Sequence, residues 1–246
     1  MEEISLKAQQ LFSIGSFNVT NGLLLAFFAM LILVGFALIF KGKIKLVPGK
    51  VQAVVEMGID ALLGLMESIL GTREAAEKYL PLIATIFVFI ITSNWLGLLP
   101  GVGSFVLRHG ESEVPLLRSP AADLNFTLAL AVMAVVVTNF FGIIASGIFK
   151  YGKKFLNFSN PINFFVGILE LISELSRVVS FSFRLFGNVF AGEVLMIIIV
   201  FLLPYVAPVP FMLMELFVGA VQAFIFAMLT LVFLASNIAH GEHAEH

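Results

Sequence analysis

The chain has 246 residues, of which 60% are hydrophobic and 12% charged, and its mean hydropathy is +1.05. Such an apolar composition excludes an ordinary soluble domain and indicates an integral membrane protein. The net charge of −2 suggests neither a nucleic-acid partner nor a polybasic lipid-binding surface, and the lack of cysteine excludes disulfides and thiolate metal sites. We expect one membrane domain over residues 1–246, with no removable targeting peptide at the acidic start.

Five apolar segments are long enough to cross a membrane. The first is preceded by candidate N-cap residues, of which Thr20 is one. The fourth would extend about 60 Å as a single helix, so it must tilt, bend or continue beyond the bilayer. A Pro-rich turn then reverses the chain, so we expect the last two helices to be long, tilted and packed antiparallel. The predicted spans are residues 23–40, 80–100, 122–149, 161–203 and 211–239.

The segment 48–70 has a different pattern. Its apolar residues recur at helical spacing, while Glu56, Asp60 and Glu67 occupy other positions. This pattern predicts an amphipathic helix that either lies in the membrane interface or docks on other helices. Residues 72–79 are expected to form a polar connector before the second span.

The distribution of Lys and Arg predicts the orientation. Nine of these residues lie at 41–78 and 150–154, and three lie in segments on the opposite side of the spans. Under the positive-inside rule, the nine mark the cytoplasmic side. The N-terminus is therefore expected outside and the C-terminus in the cytoplasm.

The 161–203 segment contains charged residues that a membrane helix does not carry without a reason, since each costs about 2.5–3.5 kcal/mol at the bilayer centre. A helical projection places one seam of small or cationic residues on a single face, continued at one end by Glu170. This seam predicts a contact surface that presents two guanidinium groups to a partner. Its members are Ser173, Arg177, Ser180, Arg184, Gly187 and Ala191.

Arg184 has no acidic residue three or four positions away, so its counter-ion must come from another helix or another chain. For Arg177 and Glu170, a buried structural pair and a functional role are equally compatible with the sequence. Glu193 faces away from Arg184, and the antiparallel arrangement brings it near Glu215 on the last helix. Two neighbouring buried carboxyl groups are suited to passing protons, although a structural hydrogen-bonded pair is the alternative.

Two motifs and the order of the hydrophobic segments resemble one known family. The motif R-L-F-G-N-x-x-A-G-E occupies residues 184–193, and Q-A-F-I-F follows at 222–226. The chain also contains P-x-A-D-x-N-x-T at 120–127, and its second span ends in N-W-x-G-L-L-P. Over the whole chain, these features resemble subunit a of F-type ATP synthases, the proton-channel subunit of the membrane sector.

The resemblance implies a role for each charged position. In that family, two long tilted helices face a rotating ring of c subunits, each with one carboxyl group in mid-membrane. Arg184 matches the essential arginine, which attracts each deprotonated ring carboxylate and prevents direct leakage between two offset half-channels. Positions linked to outer proton access match Asn188, Glu193, Glu215 and Gln222. Lower-ranked positions are Glu170, Ser173 and Arg177 near the inner half-channel, and Asp123 and Asn125, which either line the outer vestibule or cap a helix.

The resemblance also implies partners and a location. The partners are the c-subunit ring, b-type peripheral stalk subunits, the rest of the ATP synthase and membrane lipid, with no nucleic acid. The location is a bacterial inner membrane. Because the chain shows no P-loop and no metal-ligand cluster, nucleotide chemistry belongs to another subunit, and we expect no cofactor here.

Two other classes of protein also fit an arginine within the membrane. A secondary transporter would use Arg184 to bind an anionic substrate, but its usual internal repeats are absent from the sequence. A structural subunit of a respiratory complex would use the charges only to seal an interface.

Overall fold

The computed structural model of the chain is a bundle of α-helices with two short β-hairpins. It describes residues 9–15, 17–99, 101–102, 106–109, 112–155, 161–204 and 206–242. The hairpins pair β1 (Gln10–Ile14) with β2 (Phe17–Thr20) and β3 (Val106–His109) with β4 (Ser112–Pro115). The helices within the described residues are α1 (Asn21–Lys41), α2 (Lys50–Leu70), α3 (Arg73–Gly97), α4 (Leu124–Ser146), α5 (Ile148–Phe155), α6 (Pro161–Leu202) and α7 (Pro208–Glu242).

Five of these helices, α1, α3, α4, α6 and α7, are long and apolar enough to cross a membrane. The predicted all-α class with about five membrane helices is confirmed. The hairpins and α5 were not predicted, because they are short and have no sustained periodicity. The described residues do not include the predicted end of the second span at Pro100, the N-terminal residues before 9 or the tail beyond residue 242.

The predicted connector at 72–79 is wrong, because α3 begins there. The hydroxyl of Thr72 caps the helix by accepting a hydrogen bond from the backbone N–H of Ala75 at 3.3 Å. Ala76 and Tyr79 are buried in the core. The polar residues that suggested a connector therefore cover the solvated face of an extra two turns of helix.

The N-terminal end of α1 follows the sequence prediction. Thr20 is the N-cap residue, and its hydroxyl accepts from the N–H of Leu23 at 3.3 Å. The preceding β1–β2 hairpin is tied to this point because the N–H of Asn21 donates to the carbonyl of Gln9. The chain therefore enters α1 in a fixed direction.

Helix α7 is the centre of the bundle and packs against α3, α4 and α6. Its buried face combines small and large apolar side chains, so that the neighbouring helices approach closely. Ala223 and Ala227 are completely buried, as are Leu231 and Leu234. These residues belong to one continuous core that α7 shares with α2, α3, α4 and α6.

Helices α6 and α7 pack antiparallel, as predicted. Arg177 lies over the ring of Phe233 at 4.3 Å, and further along α6 the ring of Phe181 is 4.8 Å from that of Phe226. Further still, Gly192 abuts Glu215. Residue numbers thus rise on α6 as they fall on α7.

The amphipathic α2 docks on α3 and buries Leu63 and Met66. Asp60 on its polar face forms an ion pair with Arg73 of α3 at 2.9 Å. The sequence left open whether this helix lies in the membrane interface or docks on other helices. One face of α2 docks on the bundle. A second apolar strip, including Val51 and Val54, remains exposed.

Candidate functional site

Arg184 lies near the middle of α6 with an exposed side chain. Its guanidinium donates a hydrogen bond to the hydroxyl of Ser180, one turn earlier, at 3.2 Å. Within the part of the chain that the structure describes, no carboxylate forms an ion pair with it. The sequence prediction that its counter-ion lies outside its own helix therefore extends to all the described residues.

The other arginines with described side chains are paired. Arg73 contacts Asp60 at 2.9 Å, and Arg118 contacts Glu193 at 2.8 Å. Arg177 contacts Glu174 at 2.8 Å. Among the described guanidinium groups, Arg184 alone forms no ion pair with a described residue.

The predicted seam is therefore only partly correct. Arg177 does not project outward beside Arg184, because its side chain is only 16% exposed and lies over the ring of Phe233. Its two carboxylate partners are Glu174 at 2.8 Å and Glu170 at 3.8 Å. The outer face of α6 thus presents one guanidinium group, not two.

A cavity of about 270 Å³ lies where the end of α6 meets the start of α7 and the end of α3. It brings together both predicted carboxylates, Glu193 and Glu215. Asn94, Arg118 and Ser119 also line it. This shared cavity agrees with the prediction that the two glutamates lie close together across the antiparallel pair.

Glu193 is held by Arg118 through a forked set of hydrogen bonds. The Nε of Arg118 donates to both carboxylate oxygens, at 2.8 and 3.1 Å, and one terminal nitrogen donates at 2.9 Å. The side chains are 11% and 31% exposed. Paired, charge-assisted bonds of this kind are strong and fix the position of the carboxylate.

Glu215 has a different environment in the same cavity. It is 5% exposed, and its carboxylate lies directly against Gly192, where a Cβ atom would overlap it. No hydrogen bond or ion pair holds the Glu215 carboxylate within the described residues. A change of protonation at Glu215 therefore requires no salt bridge to break.

Two further oxygen atoms on the cavity wall have no partner among the described residues. They are Oδ1 of Asn94 and Oγ of Ser119, both buried. The amide nitrogen of Asn94 is used, since it donates to the carbonyl of Gly219 at 3.2 Å. Buried polar oxygens beside a carboxylate give part of the cavity wall polar groups that can bind water, and the volume is large enough for several water molecules.

Gln222 lies about one turn of α7 beyond Gly219, which lines this cavity, and it is next to Arg184. Both line a small cavity of about 10 Å³, together with Phe181, Leu185 and Phe226. The structure thus brings Gln222 and Arg184 together, whereas Glu193 and Glu215 form the neighbouring group.

The remaining predicted residues make local contacts. Asn188 donates from its side-chain amide to the carbonyl of Arg184 at 3.0 Å. Asp123 is the N-cap of α4 and accepts from the N–H of Asn125 at 3.0 Å. Neither Asp123 nor Asn125 lines the cavity around Glu215. For these two, helix capping is the role that the contacts explain; Ser173 is half-buried on α6.

A second polar cluster surrounds Glu174 near the opposite end of α6. The amide of Asn139 on α4 donates to Glu174 at 3.4 Å, and its oxygen accepts from Tyr151 at 2.5 Å and from Asn237 at 3.1 Å. Burial is the largest cause that raises the pKa of Tyr151 to about 12, and Glu174 adds to it. The hydroxyl of Tyr151 therefore keeps its proton at neutral pH and remains a hydrogen-bond donor.

Sequence reasoning missed several residues of these two groups. In the sequence, Arg118 lies between the second and third predicted spans and Asn94 near the end of the second, and neither position indicates a contact with Glu193 or Glu215. The sequence indicated Glu170 as a possible structural partner of Arg177, and the nearer partner in the structure is Glu174. The other contacts join residues distant in the chain, and their pairing depends on how the helices cross.

Comparison with known proteins agrees with the motifs. A family model described as ATP synthase A chain matches residues 23–235. A protein named ATP synthase subunit a from Campylobacter concisus is 38% identical over 221 residues, covering 89% of this chain and 88% of that protein. Its namesake in Campylobacter fetus subsp. fetus is 33% identical over 242 residues, with 98% and 99% covered. In Campylobacter jejuni subsp. jejuni the identity is 38% over 208 residues, with 83% and 84% covered.

Five apolar helices with an exposed arginine beside a carboxylate-lined cavity define an ion-conducting membrane subunit. The chain belongs to the ATP synthase subunit a family. Members of this family form the proton channel of the membrane sector and carry no catalytic site of their own. The family predicted from the motifs is confirmed, and the two alternative classes are excluded.

The Arg118–Glu193 pair can be tested with a double-mutant cycle. We expect Arg118→Gln and Glu193→Gln each to destabilise the protein, because each leaves a largely buried charge without its partner. The coupling free energy, measured by thermal unfolding of the assembled complex, should be about 1.5–3 kcal/mol. The exposed Arg73–Asp60 pair is the control and should show no measurable coupling. Equal coupling at the two pairs would contradict the buried contact.

The close approach of α6 and α7 at Gly192 gives a second test. Gly192→Ala should destabilise the protein by about 1–3 kcal/mol, because the added methyl group would displace the Glu215 carboxylate. The matched control is Gly35→Ala in α1, where a Cβ atom meets nothing within 4 Å. Thermal unfolding should separate the two variants. If Gly192→Ala were tolerated as well as Gly35→Ala, the helices would have to lie further apart.

Proposed function

We propose that Arg184 is the fixed cation of this proton channel and that it faces a mobile carboxylate on a ring of c subunits. One observation carries this assignment: Arg184 is exposed and has no ion pair among the described residues, whereas Arg73, Arg118 and Arg177 each have one. A guanidinium group stays charged at all physiological pH values. Its counter-charge must therefore come from outside the described chain, and a passing carboxylate would supply it transiently.

The surroundings of Arg184 support a sliding contact. Ser180, Gly187 and Ala191 flank it on the exposed face of α6, and none has a bulky side chain. Small residues allow another helix to approach closely, so a ring helix could bring its carboxyl group within reach of the guanidinium. Asn188 supports this surface by bonding the carbonyl of Arg184.

We propose that the cavity between Glu193 and Glu215 is the outer half-channel. Its polar wall suits water, and Glu215 would exchange protons with that water because no partner fixes its charge. Glu193 would stay in its bond to Arg118, which fixes the position of its side chain beside this water. Gln222, between this cavity and Arg184, would connect the relay to the ring.

The contacts of Arg177 favour a structural role over the inner half-channel role that the sequence allowed. Its charge is compensated by Glu174 and Glu170, and its guanidinium stacks on Phe233. The same cluster joins α4, α5, α6 and α7 through Asn139. We infer that it fixes the inner end of α6, so that Arg184 keeps its position while a partner moves past it.

The proposed orientation follows from the lysine-rich segments. With residues 41–50 and 150–154 in the cytoplasm, the Glu215 cavity lies toward the outside and the Glu174 cluster toward the cytoplasm. We propose a bacterial inner membrane as the location and b-type stalk subunits as further partners. One proton crossing 100 mV yields about 2.3 kcal/mol, so several must combine per ATP, as a stepping ring allows.

Replacing Arg184 tests the central assignment. In the assembled ATP synthase, Arg184→Ala should abolish ATP-driven proton pumping, measured by fluorescence quenching in membrane vesicles, while the complex still assembles. Arg73→Ala removes an exposed arginine on α3 and should leave pumping intact. Normal pumping by the assembled Arg184→Ala complex would refute the assignment.

Replacing the two glutamates tests the outer path. Glu193→Gln together with Glu215→Gln should slow passive proton flux at least about tenfold, because a positioned proton carrier is lost. Glu215→Gln alone should account for most of the decrease, since Glu193 is held by Arg118. Flux through the membrane sector of stripped vesicles is the measurement. Unchanged flux in the double variant would remove both residues from the path.

A further inference from the structure

A second cavity, of about 630 Å³, lies between the end of α1 and the start of α2, far in the chain from the Glu215 cavity. One wall is apolar and includes Phe36, Ile39 and Phe40. The rings of Phe36 and Phe40 stack with their centroids 5.6 Å apart. The cavity thus has a flat hydrocarbon surface that begins within a membrane span and continues to its end.

The other side of this cavity is basic, because Lys43, Lys45 and Lys50 line it. None of the three forms an ion pair within the residues that the structure describes. The first turn of α2 carries no acidic residue, so nothing there opposes their charge. The overall charge of −2 does not reveal this site, since the three cations are concentrated by the fold.

The basic side is held in place by Gln52, which is only 8% exposed. Its amide donates to the carbonyl of Lys45 at 2.8 Å, and its oxygen accepts from the N–H of Lys45 at 3.1 Å. The same amide nitrogen donates to Glu56 at 2.8 Å. The loop between α1 and α2 is therefore closed by a buried side chain, which keeps Lys45 at the cavity.

We propose that this cavity binds an anionic phospholipid of the surrounding leaflet. Its acyl chain would lie along Phe36, Ile39 and Phe40, and its phosphate and headgroup would meet the lysines. The site lies at the end of a membrane span, where hydrocarbon gives way to headgroups. Lysines in this position attract anionic lipid, each by a factor of about five.

The apolar side and the basic side of the cavity together favour an anionic phospholipid over other ligands. A free anion such as phosphate would leave the aromatic surface uncovered, and an uncharged lipid would leave three lysines without counter-charge. A phospholipid with a net negative charge satisfies both sides at once. The proposal is independent of proton transport, because it uses neither Arg184 nor the Glu215 cavity.

Photolabelling tests the proposal in the assembled complex. The complex is reconstituted in phosphatidylcholine bilayers that contain a trace of photoreactive phosphatidylglycerol or of photoreactive phosphatidylcholine with the same diazirine-bearing acyl chain. Mass spectrometry then counts adducts at Phe36, Ile39 and Phe40 and normalises them to adducts at Ile32. Ile32 lies one turn nearer the start of α1 and does not line the cavity. The anionic probe should label the cavity wall at least about fivefold more than the neutral probe.

Two matched variants remove the same charge. Lys43→Gln with Lys45→Gln should lower the preference for the anionic probe at least about fivefold, and Lys50 accounts for any preference that remains. Lys41→Gln with Lys78→Gln should preserve it, because neither residue lines the cavity. The number of adducts at Ile32 shows whether α1 is still inserted in the bilayer in each variant.

Three results would overturn the proposal. The first is equal labelling by the two probes in the unsubstituted chain, and the second is an equal preference in both double variants. The third is a lack of adducts at Phe36 and Phe40 from either probe, which would mean that another subunit covers the cavity.

Discussion

A guanidinium group keeps its charge in every environment a protein offers, so each arginine in an apolar bundle needs a source of negative charge. Arg118 and Arg177 obtain theirs from Glu193 and Glu174. Arg184 has no ion pair among the described residues and is directed to the protein surface instead. The helices around it are organised so that the other charges are compensated and this one is available to a partner.

The antiparallel contact of α6 with α7 determines where the compensated and available charges lie. Because residue numbers rise on one helix and fall on the other, the Glu174 cluster, Arg184 and the Glu215 cavity follow one another along the pair. Gly192 allows the closest approach, and the Glu215 carboxylate occupies the space that a side chain would take. The Glu215 cavity and Arg184 are thus separated along one axis, as the proposed channel with two offset entrances requires.

Much of this arrangement was predictable from the sequence. Hydrophobic length gave the spans, and the short turn after the fourth span gave the antiparallel pair. The lack of an acidic neighbour predicted that Arg184 finds its partner elsewhere. Arg118 and Tyr151 were not predictable, because their partners, Glu193 and Asn139, lie on other elements and meet only through the way those elements cross. The start of α3 was missed since a capped helix with a polar outer face resembles a connector when only composition is considered.

Helix α6 is supported on one side by α4 and α7, while its outward face carries few bulky contacts around Arg184. This asymmetry has a mechanical consequence. If a partner's charge attracts Arg184 as proposed, the force acts on the backbone of α6, and the helices packed behind it resist bending. Such a force would then act on the partner rather than deform α6. Helix α6 would therefore act as a rigid support, because α4 and α7 pack closely against its other side.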